Sequence, residues 1–408
     1  PMLLNSPLQM NIEGYEGSMQ DWAAFGQFMN QLYEGRDVLP ENVRTEVQEI
    51  VKGAATDREK IERLYDYLKG SMRYVSIQLG IGGWQPFEAT YGAETKYGDC
   101  KALSNYMMAL LKEAGIESHP VITYRGNLEY LEIDEAFATS AFNHVLLHVP
   151  KEDLFLECTS NNYPAGFIGL DNENRKALLV GPAGGKVLQM PASPPEANLQ
   201  VNTAVIHLNA EGGARLNAEK LYTGLQHQFL RSADFYWTPE EKEEYLRKEM
   251  PLNDYSLNDW SFEVADEVPE AKIAFDLEVN KFASTAGKRL FVTLNCLNPY
   301  DEVPEELEAR THPIYRKNSF VDLDTIRYIL PDDYKVENVF SEPIELEASF
   351  GHYRAQVEQV KPNEWLYIRE LRIEAHRLPA TEYEAYRDFY KDVRKADRKK
   401  MVLIEKKT

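Results

Sequence analysis

The chain has 408 residues, more than one hydrophobic core normally supports, so two domains are expected. Its net charge of −21, from 66 acidic and 45 basic side chains, argues against a nucleic-acid partner and against an anionic membrane surface. Hydrophobic residues make up 43% and aromatic residues 11%, enough for packed cores, and no apolar run is long enough to be inserted across a bilayer.

The chain starts at Pro1, which reads as a mature or trimmed form, and residues 1–20 show no clear period. They read as a lead-in from an upstream region. Three amphipathic helices follow. The first, Asp21 to Tyr33, carries Trp22, Phe25, Phe28, Met29 and Leu32 on one side. The second, Pro40 to Lys52, opens on a proline and repeats Val43, Val47, Ile50 and Val51. The third, Asp57 to Leu68, repeats Ile61, Leu64 and Tyr65 and is stopped by Gly70. Met72 to Leu79 is β-leaning, and Gly80 to Pro86 is a tight loop.

Cys100 then stands at the start of a helix. Leu103, Tyr106, Met107, Leu110, Leu111 and Ala114 recur at helical spacing, Asp99 is the expected N-cap, and Gly115 is a natural stop. A thiol in such a first turn feels the positive end of the helix dipole, which favours the nucleophilic thiolate. Ile116 to Arg125 is a strand candidate, and Gly126 to Ser140 an acidic loop. Ala141–Val149 and Leu154–Thr159 read as a hairpin joined by Pro150 to Asp153. Helices followed by an antiparallel sheet make this half α+β rather than a βαβ repeat.

Residues 171–198, ending in Pro191-Ala192-Ser193-Pro194-Pro195, read as an interdomain linker, and 199–408 as a β-rich C-terminal domain. There, Thr203–Leu208, Ala214–Tyr222, Ala271–Asn280, Leu290–Leu294, Ser319–Ile329, His352–Gln359 and Leu366–Ala375 are short alternating strands. Pro239–Met250 and Ala380–Lys395 are helices, and the whole suggests a β-sandwich-like domain.

A cysteine nucleophile needs a base, and the base needs an orienting partner. His144 and His148 share one face of their strand, with Val145, Leu147 and Val149 on the other. If Val149 pairs with Leu154, His144 lies diagonal to Glu157 on the same face; a one-residue slip would present Cys158 instead. The first register is favoured because it sets a carboxylate beside an imidazole. His148, Cys158 and Cys296 read as structural. With three cysteines and no C-x-x-C, neither a zinc site nor a disulfide framework is expected, and no cofactor or metal is called for. Gly181 to Lys186 lacks the spacing of a phosphate loop and reads as a turn.

Tyr97-Gly98-Asp99-Cys100-Lys101-Ala102-Leu103, then Phe142-Asn143-His144-Val145, then Leu156-Glu157-Cys158-Thr159-Ser160 resemble the transglutaminase-like cysteine fold. The Gly-Asp-Cys-Lys form, with the Trp84–Pro86 loop upstream, is most similar to bacterial multidomain members with β-rich flanking domains. The resemblance implies a papain/transglutaminase-like core over residues 21–170, with helices packed on an antiparallel sheet. It implies acyl transfer by Cys100, His144 and Glu157, with hydrolysis of a peptide or amide bond through a thioester preferred. A peptide or protein substrate and a periplasmic or cell-envelope location go with it. The alternative is a non-catalytic scaffold of the envelope. The oxyanion partners would be the Cys100 backbone N–H and either Gln78 or Trp84. One departure stands out: the family usually places Asp where this chain has Glu157.

Overall fold

The computed structural model describes residues 4–126, 133–250 and 252–406. The chain divides into two compact units, Pro1–Ala192 and Ser193–Thr408.

The first unit opens with a hairpin, β1 (Met10–Ile12) and β2 (Tyr15–Gly17), where a featureless lead-in was expected. Its turn is Glu13-Gly14, both at positive φ, the geometry a two-residue hairpin turn requires. Helix α1 (Trp22–Tyr33) is capped by Asp21, whose side chain accepts from the Ala24 N–H at 2.8 Å, and buries the expected aromatic face. Helix α2 spans Glu41–Val51, and α3 spans Asp57–Ser71. Gly70 does not stop α3; the buried stripe of Ile61, Leu64, Tyr65 and Leu68 carries the last turn through it, and Met72 N–H still bonds Leu68 O at 2.9 Å.

Of the β-leaning stretch, only β3 (Arg73–Tyr74) pairs, in parallel with β4 (Tyr97–Gly98). A short helix that the sequence pattern does not reveal, α4 (Ala89–Thr95), lies between them, and α5 (Cys100–Glu113) follows. The unit's five-stranded sheet is antiparallel throughout. It consists of β5 (His119–Thr123), β6 (His144–Val149), β7 (Leu154–Leu156), β8 (Lys176–Gly181) and β9 (Gly184–Gln189), in the order β7-β6-β5-β8-β9. Of the acidic loop, 127–132 lie outside the described residues.

Residues 171–198 are therefore not simply a linker: β8 and β9 complete the sheet, and the unit ends at Ala192. Ala177, Leu178 and Val180 are buried, which the glycines and proline of the connecting turn mask in the sequence. The turn expected over Gly181 to Lys186 is shorter, closing the β8–β9 hairpin between Gly181 and Gly184, with Gly185 and Lys186 in β9. Helices α2, α3 and α5 pack on Leu147, Val149, Leu154 and Leu156, while α1 covers Ile122, Val145, Leu178 and Val180.

Helix α1 approaches β9 backbone to backbone: a Cβ on Gly26 would stand 2.0 Å from Gly185 Cα. Gly26→Ala should therefore destabilise the first unit by at least about 1–3 kcal/mol. Gly70→Ala, where an added Cβ meets nothing within 4 Å, should instead stabilise α3 by up to about 1 kcal/mol. Urea unfolding of the two variants checks both signs.

The second unit holds a large mixed sheet. Its strands are β10 (Leu199–Leu208), β11 (Ala214–Thr223), β12 (Tyr255–Val264), β13 (Glu270–Val279), β14 (Ser284–Ala286), β15 (Arg289–Thr293), β16 (Ile314–Arg316) and β17 (Phe320–Ile329). The series continues with β18 (Tyr334–Asn338), β19 (Ile344–Ala348), β20 (Gly351–Lys361), β21 (Glu364–Ile373), β22 (His376–Leu378) and β23 (Lys400–Glu405). Eight form one sheet, β12-β13-β11-β10-β17-β21-β20-β19, and four another, β14-β15-β23-β18. Helices α6 (Gln228–Tyr236), α7 (Pro239–Glu249) and α8 (Tyr383–Asp397) complete the unit. One core joins Ile206, Leu216, Phe275 and Leu371 of the large sheet to Val292 and Met401 of the small one and to Phe389 and Val393 of α8. The chain is thus an α+β core followed by a β-rich region with several sheets.

Candidate active site

Cys100 is the first residue of α5. Asp99 caps the helix, its Oδ1 accepting from the Ala102 N–H at 3.0 Å, while its Oδ2 pairs with the buried Lys101 ammonium. Gly98 is needed just before the cap, because a Cβ there would meet the Ala102 Cβ at 2.7 Å. The local sequence thus fixes where the thiol sits.

His144 opens β6, and Glu157 follows the last residue of β7. Val149 pairs with Leu154 and Leu147 with Leu156, the register that sends Glu157 to the face of His144. His144 Nε2 lies 2.7 Å from Glu157 Oε2. With Nε2 so engaged, Nδ1 is the nitrogen left to exchange a proton with Cys100. The slipped register is not realised: Cys158 turns into the helical core, where burial drives its thiol well above the ordinary range. Cys296 is buried in the second unit, and burial pushes its thiol up to about 12.

The Glu157 carboxylate is held from several sides. Oε1 accepts from the Thr159 N–H at 3.0 Å and from its hydroxyl at 2.5 Å. Oε2 also accepts from Asn172 Nδ2 at 2.8 Å, and Arg125 Nη1 stands 3.9 Å away. Burial alone would push His144 down and Glu157 up. Their mutual attraction outweighs it: Glu157 and the adjacent Cys100 hold the imidazole above 6.5, and His144 with Arg125 hold the carboxyl below 4.5. The geometry is that of an imidazolium–carboxylate pair.

A cavity of about 100 Å³ is lined by Cys100 and His144, together with Gln78 and Trp84. Both candidate oxyanion donors therefore reach the same space. Phe25 and Phe142, stacked 6.0 Å apart, line it as well, and the Trp84 ring packs edge-on against Phe25 and Phe28. Cys100 is only 3% exposed beneath them. Among the described residues no group of three His, Cys, Asp or Glu side chains is arranged to hold a metal ion.

Thr159, Asn172 and the aromatic wall from α1 were not singled out by sequence reasoning. Thr159 lies within the quoted motif and was within reach of the register argument. Asn172 carries no local signal, sitting in Asp171-Asn172-Glu173-Asn174.

A helix-start cysteine beside a strand-borne histidine and an acid just past the next strand, on helices packed against an antiparallel sheet, is the arrangement of a transglutaminase-like core. Residues 44–153 match the model of the transglutaminase-like superfamily, and the chain carries a domain of that superfamily. Glu157 and Asn172 lie beyond the matched segment. Residues 288–403 match a domain family of unknown function with solved structure, DUF3858. In fold, the chain resembles a Parabacteroides distasonis protein described as a "putative protease", with TM-score 0.54 at 12% identity over 97% of this chain. The chain spans 62% of that protein's length. No curated protein matches it.

Proposed function

We propose that the chain is a cysteine-dependent hydrolase of peptide or amide bonds. Cys100 gives its proton to His144 Nδ1, and the Sγ thiolate of the resulting ion pair attacks the carbonyl carbon. The tetrahedral intermediate then collapses to a thioester, and the imidazolium returns the proton to the departing amine. Water, deprotonated by His144, attacks the thioester, releasing the acid and restoring the thiol. Glu157 keeps Nε2 protonated and stabilises the imidazolium in both halves. The observation that carries this reading is the buried 2.7 Å bond from His144 Nε2 to Glu157 Oε2, with His144 lining the same cavity as Cys100.

The test is site-resolved alkylation with iodoacetamide at pH 7. Cys100 should react at least about tenfold faster than a cysteine of the urea-denatured chain, the gain expected of an activated thiol. Cys100→Ala should abolish that fast phase. Equal rates in the native and denatured chains would sink the proposal.

A second reading, a scaffold without turnover, is favoured by one observation: Cys100 is 3% exposed under the aromatic wall. It predicts a native thiol slower than the denatured one, so the same measurement separates the two.

A further inference from the structure

We propose that Asn172 is a positioning residue for this site, fixing the carboxylate oxygen that His144 uses; the inference rests on the hydrolase reading above. Glu157 is one methylene longer than the Asp of the related pattern, which moves the carboxylate about 1.5 Å along the side chain and adds a rotatable bond. Strand β7 ends at Leu156 and the sheet ladder stops there, so strand pairing does not hold the backbone at Glu157. The carboxylate must be restrained by its own contacts.

Asn172 supplies that restraint from outside the strand pair. It is fully buried, and its Nδ2 donates both to Ile168 O at 2.7 Å and to Glu157 Oε2 at 2.8 Å. The first bond ties the amide to the main chain; the second presents an N–H to the same oxygen that meets His144 Nε2. Thr159 holds the other oxygen, so the carboxylate can neither rotate nor withdraw. The amide's own Oδ1 is buried without a hydrogen-bond partner. A side chain kept only for packing would not retain an unpaired buried acceptor. The donor is what the site uses.

Among the described residues, other charged and titratable groups around the pair include Cys100, Cys158, Arg125 with Asp171 3.8 Å from it, and Tyr65, whose hydroxyl donates to Glu157 O at 2.8 Å. None of these contacts would be removed by truncating Asn172.

The experiment is the rate of Cys100 alkylation by iodoacetamide against pH in the full chain. Wild type, Asn172→Ala, Glu157→Gln and the double variant are compared, with thermal melts alongside. Asn172→Ala should slow the reaction at pH 7 about tenfold and move the alkaline limb, set by His144, down by about one pH unit. In the Glu157→Gln background the same substitution should change nothing further. Asn172→Ser, which keeps a hydroxyl donor, should recover part of the loss, and it carries the comparison if the alanine variant does not fold. A reactive wild-type Cys100 with an unchanged Asn172→Ala profile, or an equal loss in both backgrounds, would overturn the role of Asn172 alone. A wild-type Cys100 no faster than the denatured chain would overturn it together with the hydrolase reading.

Discussion

On the hydrolase reading proposed above, replacing Glu157 by Gln should lower turnover of an activated ester such as p-nitrophenyl acetate between about a hundredfold and ten-thousandfold, with the fold retained. The amide is nearly isosteric and its oxygen can still bond Thr159, so the volume changes little, while its NH₂ takes the place of the oxygen that Asn172 and His144 share. What changes is the proton. A carboxylate accepts from Nε2–H and leaves Nδ1 free to take the Cys100 proton. An amide NH₂ turned toward Nε2 reverses that preference and puts the ring proton on Nδ1, where a base is needed. Glu157→Ala is a harsher change, because besides the countercharge it removes every acceptor for His144, Thr159 and Asn172 and leaves a cavity, and it should cost about 3–5 kcal/mol of stability. The pH dependence carries a sign that can be checked. Glu157 is held below 4.5, so its contribution is present above that value and is lost as acid protonates the folded carboxylate. His144 is held above 6.5, so its contribution is complete below that value and fades as alkali deprotonates the folded imidazolium. The stability gap between wild type and Glu157→Gln, read from urea unfolding, should therefore be widest between about pH 4.5 and 6.5 and narrow on both sides. A gap that stayed level to pH 10 would mean the pair is not ionised.

The site was legible where one element specified it locally and illegible where a distant segment supplied it. Cys100 could be placed because the apolar period of α5, its Asp99 cap and Gly98 all agree on where the helix begins. His144 and Glu157 could be paired only by favouring the register that sets a carboxylate beside an imidazole, since the hairpin's alternation alone also allowed a one-residue slip; Val149 does pair with Leu154. Asn172 reaches the carboxylate from a loop 15 residues further on, with no periodicity to announce it. The fold shows the same division. Helix α4 buries only Ala89, Gly92 and Ala93, residues too small to write an apolar stripe into the sequence. Strand β12 hid behind a bulge between Leu257 and Asp259, which shifts the alternation from Tyr255 and Leu257 to Trp260, Phe262 and Val264. The β8–β9 hairpin looked like linker because the glycines that make its turn and let α1 approach closely are also what linkers contain. Composition could not tell a flexible glycine from one required by contact.

The second unit should fail at one residue above all: Arg369→Met should destabilise it by about 3–5 kcal/mol, although the methionine fills much of the same volume. Arg369 is wholly buried in β21 and bonds Asp324 of β17 at 2.8 Å and Asp397, the last residue of α8, at 3.2 Å. Asp322 stands 4.0 Å away. One guanidinium thus ties two strands to a helix and offsets carboxylates that have few other countercharges. Asn202 donates to Asp324 at 2.6 Å, and Tyr353 donates to Asp397 at 2.8 Å, but neither carries charge. Even with Arg369 present, burial holds Asp324 above its ordinary value and Asp322 at about 6. A raised carboxyl favours the folded state at low pH, and that advantage is lost as pH rises through the folded value. Without the arginine these values should climb further. The deficit of Arg369→Met should therefore grow from pH 5 to pH 8. Arg369→Lys should fall between wild type and Met, since an ammonium restores charge but cannot reach both carboxylates in the fork geometry. Hydrogen exchange resolved by peptide locates the loss within one unit. Protection should drop across β17, β21 and α8 while the peptides around Cys100 and His144 stay as they were. A loss spread equally over both units would show that the cluster does more than brace the sheet that contains it.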